Sequence, residues 1–278
     1  MQIPKLVVFD VDGTLIDWDG VIAPSTVAAL AQLRSHGITV AVATGRPLAL
    51  ADSTLEQVGG ADWMVSGNGA VLFEVATQRK LRDLFLPVDV VLPIIRGLRA
   101  RLPGIEFAVE VGDIVFEEPG FDRRVPETNP LEAVPDVLDA LPADLSRVRR
   151  VIMFHDDYDG RLGRLAEIVT EFADARCQVQ VGGLPIVDVS PMGNHKAAAL
   201  QVLVDHLGLT TADVVAFGDG GNDIEMLQWA GTGVAMGNAP AEVQAVADHV
   251  TGTVGDGGVA AFLEPLLATA GRQPSVRE

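Results

Sequence analysis

The sequence predicts an α/β fold, a parallel sheet covered by helices on both faces, with an α+β segment inserted into it. Three observations carry that expectation. Short, continuously apolar runs alternate with helix-length segments at both ends of the chain, the pattern of βαβ units whose strands are buried on both faces. The alternation stops near Leu84 and resumes near Lys196, and the stretch between mixes long helix candidates with β-like pieces. With 278 residues the chain can also form two modest domains and bury a core that needs no disulfide or structural metal. The expected division is 1–83 and 187–278 for the parallel-sheet core and 84–186 for the insertion.

Element by element, Leu6 to Phe9 is a short apolar β-rich run that ends at Asp10. Pro24 to His36 reads as a helix, with Pro24 suited to its first turn, Val27, Leu30 and Leu33 at helical spacing, and Gly37 as its stop. Ile38 to Ala43 is a second buried strand, closed by Thr44-Gly45-Arg46-Pro47, and Pro47 to Val58 a second helix. Trp63 to Ser66 is a third strand, followed by the turn-like Gly67-Asn68-Gly69. Within the insertion, helices are expected at Val88 to Leu102 and Asp159 to Ala173. Strands are expected at Phe107 to Val111, Ile114 to Phe116, Arg149 to Phe154 and Gln178 to Val181, with proline- and acid-marked loops from Glu117 to Pro135. Hinges are expected at Lys80 to Leu86 and Gly183 to Asp188. The core resumes as a helix from Lys196 to Leu207, a strand from Val214 to Phe217, a helix from Ile224 to Ala230 and a strand from Gly233 to Met236, before a polar tail from Gly271 to Glu278.

Charge and cysteine content narrow the function. Thirty-eight acidic against 20 basic residues give a formal net charge of −18, which repels phosphate backbones and anionic membranes and argues against a nucleic-acid partner. No apolar stretch approaches the roughly 20 residues that a membrane helix needs. The single cysteine, Cys177, excludes an internal disulfide framework and a cysteine-based zinc site, and it fits a reducing cytoplasm.

In open parallel sheets, ligands bind where strands end at their carboxyl edge. Three predicted strand ends carry unusual residues: Asp10-Val11-Asp12-Gly13-Thr14, Thr44-Gly45-Arg46, and Gly218-Asp219-Gly220-Gly221-Asn222-Asp223. Lys196 opens the helix before the last of these. If the strands are neighbours, four carboxylates (Asp10, Asp12, Asp219 and Asp223), one ammonium, one hydroxyl and several loop amides meet at one edge. Carboxylates packed together repel one another, and a hard divalent cation such as Mg²⁺ resolves the conflict. Glycine-rich turns, the Thr44 hydroxyl and the Lys196 charge suit an anion, with phosphate the natural guest. Singly, each piece has an ordinary explanation: an aspartate at a strand end is usually a cap or turn residue, and Lys196, next to a possible N-cap in Asn194, would be a solvated first-turn residue. Together and in this order they read as a metal-assisted phosphoryl-transfer site. No Walker-type GxxxxGK or dinucleotide GxGxxG run occurs.

Asp10-Val11-Asp12-Gly13-Thr14-Leu15 resembles the DxDGTL signature of the haloacid dehalogenase (HAD) superfamily, most of whose members are phosphohydrolases. Thr44-Gly45-Arg46, Lys196 and Gly218 to Met226 are similar to its other three motifs, in order. Asn68-Gly69-Ala70, the GDGxNDxxM run from Gly218 to Met226 and Ala235-Met236-Gly237-Asn238-Ala239 narrow the resemblance to the Cof-like subgroup. That subgroup places its α/β cap, of the C2 type, between the second and third motifs, where this chain has its insertion. His195 and Ala197 depart from the small residue and glycine common around the motif-three lysine, and Gly255-Asp256-Gly257-Gly258-Val259 keeps part of a late acidic-DGV stretch.

The resemblance implies a Rossmann-like core, Mg²⁺ as cofactor, and a small phosphorylated metabolite as substrate, sugar phosphates among the candidates. It implies Asp10 as nucleophile and Asp12 as general acid and base. The metal would be held by Asp10, the Asp12 backbone carbonyl, Asp219 and Asp223. Phosphate would be held by the Val11 and Gly45 amides, Thr44, Lys196 and Asn222. Arg46 and Asn68 would line the entrance. Asp12 favours a phosphatase over a dehalogenase, whose reaction has no leaving-group oxygen to protonate. A phosphomutase or specialised sugar-phosphate phosphatase on the same scaffold, and a phospho-acceptor or phosphate-sensing binding module without turnover, remain alternatives. The sequence gives no oligomeric state. His155, Asp156 and Asp157 offer a second metal site, against a simple polar loop, and His195 stands as a substrate contact against a solvated helix start.

Overall fold

The first apolar run, Leu6–Phe9, forms β1, near the middle of an eight-stranded sheet. The structure is a computed structural model that describes residues 3–121, 131–181 and 185–270. After β1 come α1 (Pro24–Ser35), β2 (Thr39–Ala43), α2 (Ala51–Gln57), β3 (Trp63–Ser66), β4 (Val71–Glu74) and β5 (Lys80–Asp83). The intervening segment supplies α3 (Val88–Arg101), β6 (Glu106–Val111), β7 (Ile114–Glu117), β8 (Leu131–Ala133), α4 (Val137–Ala140), β9 (Val148–Phe154), α5 (Leu162–Thr170), β10 (Cys177–Val181) and β11 (Val187–Pro191). The chain closes with α6 (Lys196–Leu207), β12 (Val214–Gly218), α7 (Ile224–Trp229), β13 (Thr232–Ala235), α8 (Ala241–Gln244), β14 (His249–Val250) and α9 (Gly258–Ala270).

Two compact units result, one containing the chain up to Thr44, Ser53–Leu81 and everything from His195 onward, the other Gly45–Asp52 and Arg82–Asn194. In the first unit the sheet order is β14-β13-β12-β1-β2-β3-β4-β5, parallel from β14 to β3 and reversed at β4. The continuous apolar strands are buried on both faces, as their composition requires. Leu6 and Val8 look to one side, where Leu200 and Leu203 of α6 and Met226 of α7 join their cluster. On the other side Phe9 stacks on Phe217 at 5.1 Å, and Phe217 meets Phe262 of α9 edge-on at 5.4 Å. This is the doubly wound α/β core that the alternation of elements predicts.

The second unit is α+β, with sheet order β10-β11-β9-β6-β7-β8, antiparallel except for the β7–β8 pair. One sheet face carries Phe107, Val109, Val151, Met153, Val187 and Val189 and packs with α3 and α5 into a single apolar core. The opposite face is mixed, with Ala108 and Ile152 beside the buried charges of Glu110, Arg150 and Asp188.

The boundaries differ from 84 and 186. Val187–Pro191 alternates in sequence because it is a strand, and it pairs antiparallel with both β10 and β9, so the second unit extends to Asn194. Of the expected hinge at Gly183 to Asp188, residues 187–188 therefore lie inside β11, and residues 183–184 lie outside the described residues. The linker after β11 is fastened within its own unit. Gln178 Nε2 donates to the Asn194 carbonyl at 2.6 Å, and its Oε1 accepts the Gly193 N–H at 2.9 Å. Arg82 Nη2 donates to the Gly193 carbonyl at 2.7 Å. A further division between the units falls between Leu81 and Arg82, within the expected Lys80 to Leu86. The helix expected from Asp159 begins only at Leu162, behind a 3₁₀ turn at Asp156–Tyr158 and a left-handed Gly160 (φ +68°). The expected polar tail, 271–278, and residues 122–130 of the acid- and proline-marked loop lie outside the described residues. Among the described residues no helix is long and apolar enough to cross a membrane.

Candidate active site

The three strands that end in unusual residues are neighbours, and they end within one residue of one another. Phe9 is opposite both Phe217 of β12 and Val42 of β2. Asp10, Asp219 and Thr44, each one residue past a strand, therefore share one edge of the sheet. The ladder continues just past the strand ends. The Asp10 N–H donates to the Phe217 carbonyl at 2.9 Å, and the Thr44 N–H to that of Val65 at 2.9 Å. After Asp10 the chain closes a tight loop in which the Val11 carbonyl accepts from Leu15 and Ile16, both at 2.9 Å. Gly13 makes that loop possible: its φ is +83°, and a Cβ there would lie 2.1 Å from Asp219 Oδ2.

Asp10, Asp219 and Asp223 are all buried and offer oxygens within 4.8 Å of one another. Lys196, on the first turn of α6, is buried with them. Its Nζ donates to Asp10 Oδ1 at 2.5 Å and to Asp223 Oδ1 at 2.6 Å. Asp223 uses its other oxygen to accept the backbone N–H groups of Asp219 (3.0 Å) and Gly220 (2.9 Å), which fixes the turn that presents Asp219. Asp219 is held in turn by Thr14, whose hydroxyl donates to Oδ1 at 3.0 Å. Asn238 Nδ2 lies 3.3 Å from Asp219 Oδ2 and donates to the Gly13 carbonyl at 2.9 Å.

These contacts set the electrostatics. Burial first, and the Asp223 carboxylate second, hold the Asp10 carboxyl well above its ordinary range despite the pull of Lys196. Asp219 is pushed up to about 6 by burial and then by Asp223. Burial disfavours the Lys196 charge, but Asp10 and Asp223 outweigh it and hold the ammonium above the ordinary lysine range. One ammonium thus faces three carboxylates. Like charges at such separations repel by about 3 kcal/mol per pair at an effective dielectric constant of about 20. An all-oxygen donor set with a deficit of positive charge fits a hard divalent cation of the Mg²⁺ type.

The same imbalance predicts a pH-dependent metal effect. A carboxyl whose folded-state pKa lies above its unfolded value of about 3.9 makes the metal-free protein lose stability as pH rises through that window. For Asp219 the window closes at about 6. Cation binding requires the deprotonated form. Excess Mg²⁺ should therefore raise Tm by several degrees at pH 7.5 and by clearly less at pH 5, with EDTA removing the shift. Scanning fluorimetry at the two pH values checks this, and an equal shift at both would contradict it.

Of the predicted residues, the structure gathers Asp10, Lys196, Asp219 and Asp223, with Thr44 fully buried at the end of β2 and Val11 fully buried after β1. The carboxylate of Asp12 stands outside the acidic trio, so three carboxylates converge rather than four. Asn68, left-handed at φ +58°, accepts from Asn222 Nδ2 at 3.0 Å, so these two join each other. Gly45 and Arg46 group with the second unit, so the unit boundary cuts the Thr44-Gly45-Arg46 run.

The N-cap of α6 is His195 rather than Asn194, its Nδ1 accepting the Ala198 N–H at 3.2 Å, and Lys196 is buried rather than solvated. His155 is likewise a cap. Its Nδ1 accepts the Asp157 N–H at 3.1 Å and its Nε2 lies 3.1 Å from the Pro103 carbonyl, so both ring nitrogens are engaged. Sequence reasoning assigned no role to Thr14 or Asn238. Their signals were the threonine of the DGT run and the asparagine of the late MGNA run.

Comparison with known proteins agrees with this geometry. A family model described as haloacid dehalogenase-like hydrolase matches residues 7–263. The chain is 31% identical over 254 residues to the HMP-PP phosphatase of Escherichia fergusonii, covering 88% of this chain and 89% of that protein. It is 29% identical over 265 residues to the 5-amino-6-(5-phospho-D-ribitylamino)uracil phosphatase of Bacillus subtilis, covering 94% and 97%. The crystal structure of a haloacid dehalogenase-like hydrolase from Bacteroides thetaiotaomicron superposes with a TM-score of 0.80 at 26% identity, covering 95% of this chain and 99% of that one. With the motifs in order, the acidic trio assembled and a second unit inserted between the second and third motifs, the chain belongs to the haloacid dehalogenase-like hydrolases, as a phosphatase of their Cof-like group.

Proposed function

We propose that this enzyme is a Mg²⁺-dependent phosphatase of small phosphorylated metabolites that carries the phosphoryl group transiently on Asp10. The observation that supports this best is the buried Asp10–Lys196–Asp223 bridge beside Asp219. It holds a carboxylate nucleophile in place and leaves a cation-sized deficit of charge next to it.

An Asp10 carboxylate oxygen attacks phosphorus. The new bond is Asp10 oxygen to phosphorus, and the bond broken is phosphorus to the leaving-group oxygen, which takes a proton from Asp12. Asp12, now basic, removes a proton from water as that water attacks the same phosphorus. Phosphate leaves and the Asp10 carboxylate is restored. Lys196 keeps Asp10 oriented, and with Thr44, Asn222 and the Val11 and Gly45 amides it holds the phosphoryl oxygens, so that positioning and charge supply most of the rate. Asp10, Asp219, Asp223 and the Asp12 carbonyl would hold the metal, which when bound supplies charge neutralisation between carboxylate and phosphoryl oxygens.

Two relatives are named as phosphatases of HMP-PP and of 5-amino-6-(5-phospho-D-ribitylamino)uracil, and we infer a small phosphorylated metabolite as substrate here as well. The test is a phosphate-release screen over such metabolites and over sugar phosphates. Release with Mg²⁺ that stops in EDTA and resumes with excess Mg²⁺ is expected. An isomerised hexose phosphate with no free phosphate would make the protein a mutase, and no turnover of any ester would overturn the proposal.

A further inference from the structure

Gly67–Gly69 makes a tight turn directly after β3, and its middle residue keeps a side chain where glycine would fit more easily. Asn68 is buried and left-handed at φ +58°, between Gly67 at φ +60° and Gly69 at φ +120°. Left-handed backbone costs an L-residue energy that glycine avoids, and asparagine is among the few others that adopt it. The backbone alone therefore gives no reason for a side chain at this position. What a third glycine would lack is the amide.

Within the first unit, the turn reaches three segments to which the functional reading gives phosphoryl-oxygen donors. The Asn68 N–H donates to the Thr44 carbonyl at 3.0 Å. Gly69 lies against the start of α6, where a Cβ would stand 2.4 Å from the His195 carbonyl oxygen, one residue before Lys196. Asn68 Oδ1 accepts from Asn222 Nδ2 at 3.0 Å. The other end of the Asn222 amide is placed as well, since a Cβ on Gly220 would lie 2.5 Å from its Oδ1. An amide nitrogen carries two protons. Asn68 takes one from Asn222, and the second suits an anion's oxygen.

We propose that Asn68 is a positioning residue of the phosphatase, which accepts one Nδ2 proton of Asn222 and so aims the other at a phosphoryl oxygen of the substrate. This inference rests on the phosphatase reading and on the phosphate-holding role given there to Asn222. The terminal torsion of an asparagine has broad wells. With its acceptor removed, the Asn222 amide gains freedom to turn, and a misplaced positioning group lowers the rate of the chemical step.

Asn68→Gly isolates the acceptor, because it deletes the amide and suits the left-handed backbone. Asn222→Ala deletes the donor, and the double variant closes the cycle. Kinetics are measured with excess Mg²⁺ on a phosphometabolite that the parent hydrolyses. In parallel, the side-chain NH₂ resonances of Asn222, identified by their loss in Asn222→Ala, are compared in ¹⁵N spectra of the parent and Asn68→Gly.

Asn68→Gly should lower kcat about 10-fold with KM within about threefold, and its Tm should stay within about 4 °C of the parent's. Asn222→Ala should lose about 10²-fold in kcat. The double variant should match Asn222→Ala to within about threefold, because the acceptor serves nothing once the donor is gone. The Asn222 NH₂ signals should shift in Asn68→Gly. Parental kcat in Asn68→Gly, losses that multiply in the double variant, a larger fall in Tm, or Asn222 signals that stay in place would each overturn the proposal. A parent that releases no phosphate refutes the functional reading and with it the catalytic role, while the Asn222 signals still decide whether Asn68 holds that amide.

Discussion

Asp10→Asn is expected to end turnover and, in EDTA, to leave the protein more stable than the parent. The first effect follows from the proposed chemistry: an amide cannot form the aspartyl ester, and loss of a nucleophile costs at least about 10⁴-fold in kcat. The second follows from the cost of placing this carboxyl where it is. Asp10 is buried beside Asp223 and Asp219, which hold its pKa well above the ordinary value. A carboxyl raised in the folded state lowers stability as pH rises from its unfolded pKa of about 3.9, and the deficit is largest above the folded pKa. Asparagine does not titrate and carries none of that deficit. The Tm gain in EDTA should be present at pH 7.5 and fade toward pH 4. Mass spectrometry guards against deamidation back to aspartate. Near-normal hydrolysis by an intact asparagine variant would remove Asp10 from the nucleophile role.

Lys196→Met is expected to damage both properties. The side chain is similar in length and apolar, so volume is nearly kept while the ammonium that bridges Asp10 and Asp223 is lost. Breaking a buried ion pair from one side costs about 3–5 kcal/mol, because the remaining charges are stranded. Tm in EDTA should fall steeply, and Mg²⁺ should recover part of it. A donor aimed at developing charge is worth about 10²–10³-fold in kcat, and a loss of that order is expected even with saturating Mg²⁺. The two variants thus move stability in opposite directions and activity in the same one. A methionine variant with parental Tm in EDTA would show that the lysine does not offset the acidic trio.

What the sequence made legible was whatever depends on local pattern. Continuous apolar strands, and the glycine and proline that bound α1, are local signals, and Lys196–Leu207 has the limits its periodicity indicates. Elements with a weak or misleading pattern escaped. Gly258–Ala270 is apolar nearly throughout and contains Pro265, so no 3.6-residue stripe marks it as a helix. Val187–Pro191 alternates correctly for a strand, but which sheet it joins is decided by pairing partners distant in sequence. At the site, the motifs locate the acids. Tertiary packing decides that Lys196 is buried between two of them and that the three carboxylates within 4.8 Å of one another are those of Asp10, Asp219 and Asp223. The hydrogen bond from Asn222 to the buried Asn68 joins residues 154 positions apart, and no spacing rule reaches that far.

The position of β1 also bears on how the molecule is made. Its neighbours are β2, which follows within the same early stretch, and β12, whose Val214 pairs with Leu6. On the ribosome the β12-facing edge of β1 emerges without its partner and waits through the synthesis of the whole inserted unit, which has its own sheet and apolar core and contains most of its own pairings. Long-range parallel pairing of this kind is slow, and open strand edges invite association. The inserted unit, complete in its own pairings, is therefore able to condense before β12 arrives to cover the second edge of β1, the strand that leads into Asp10.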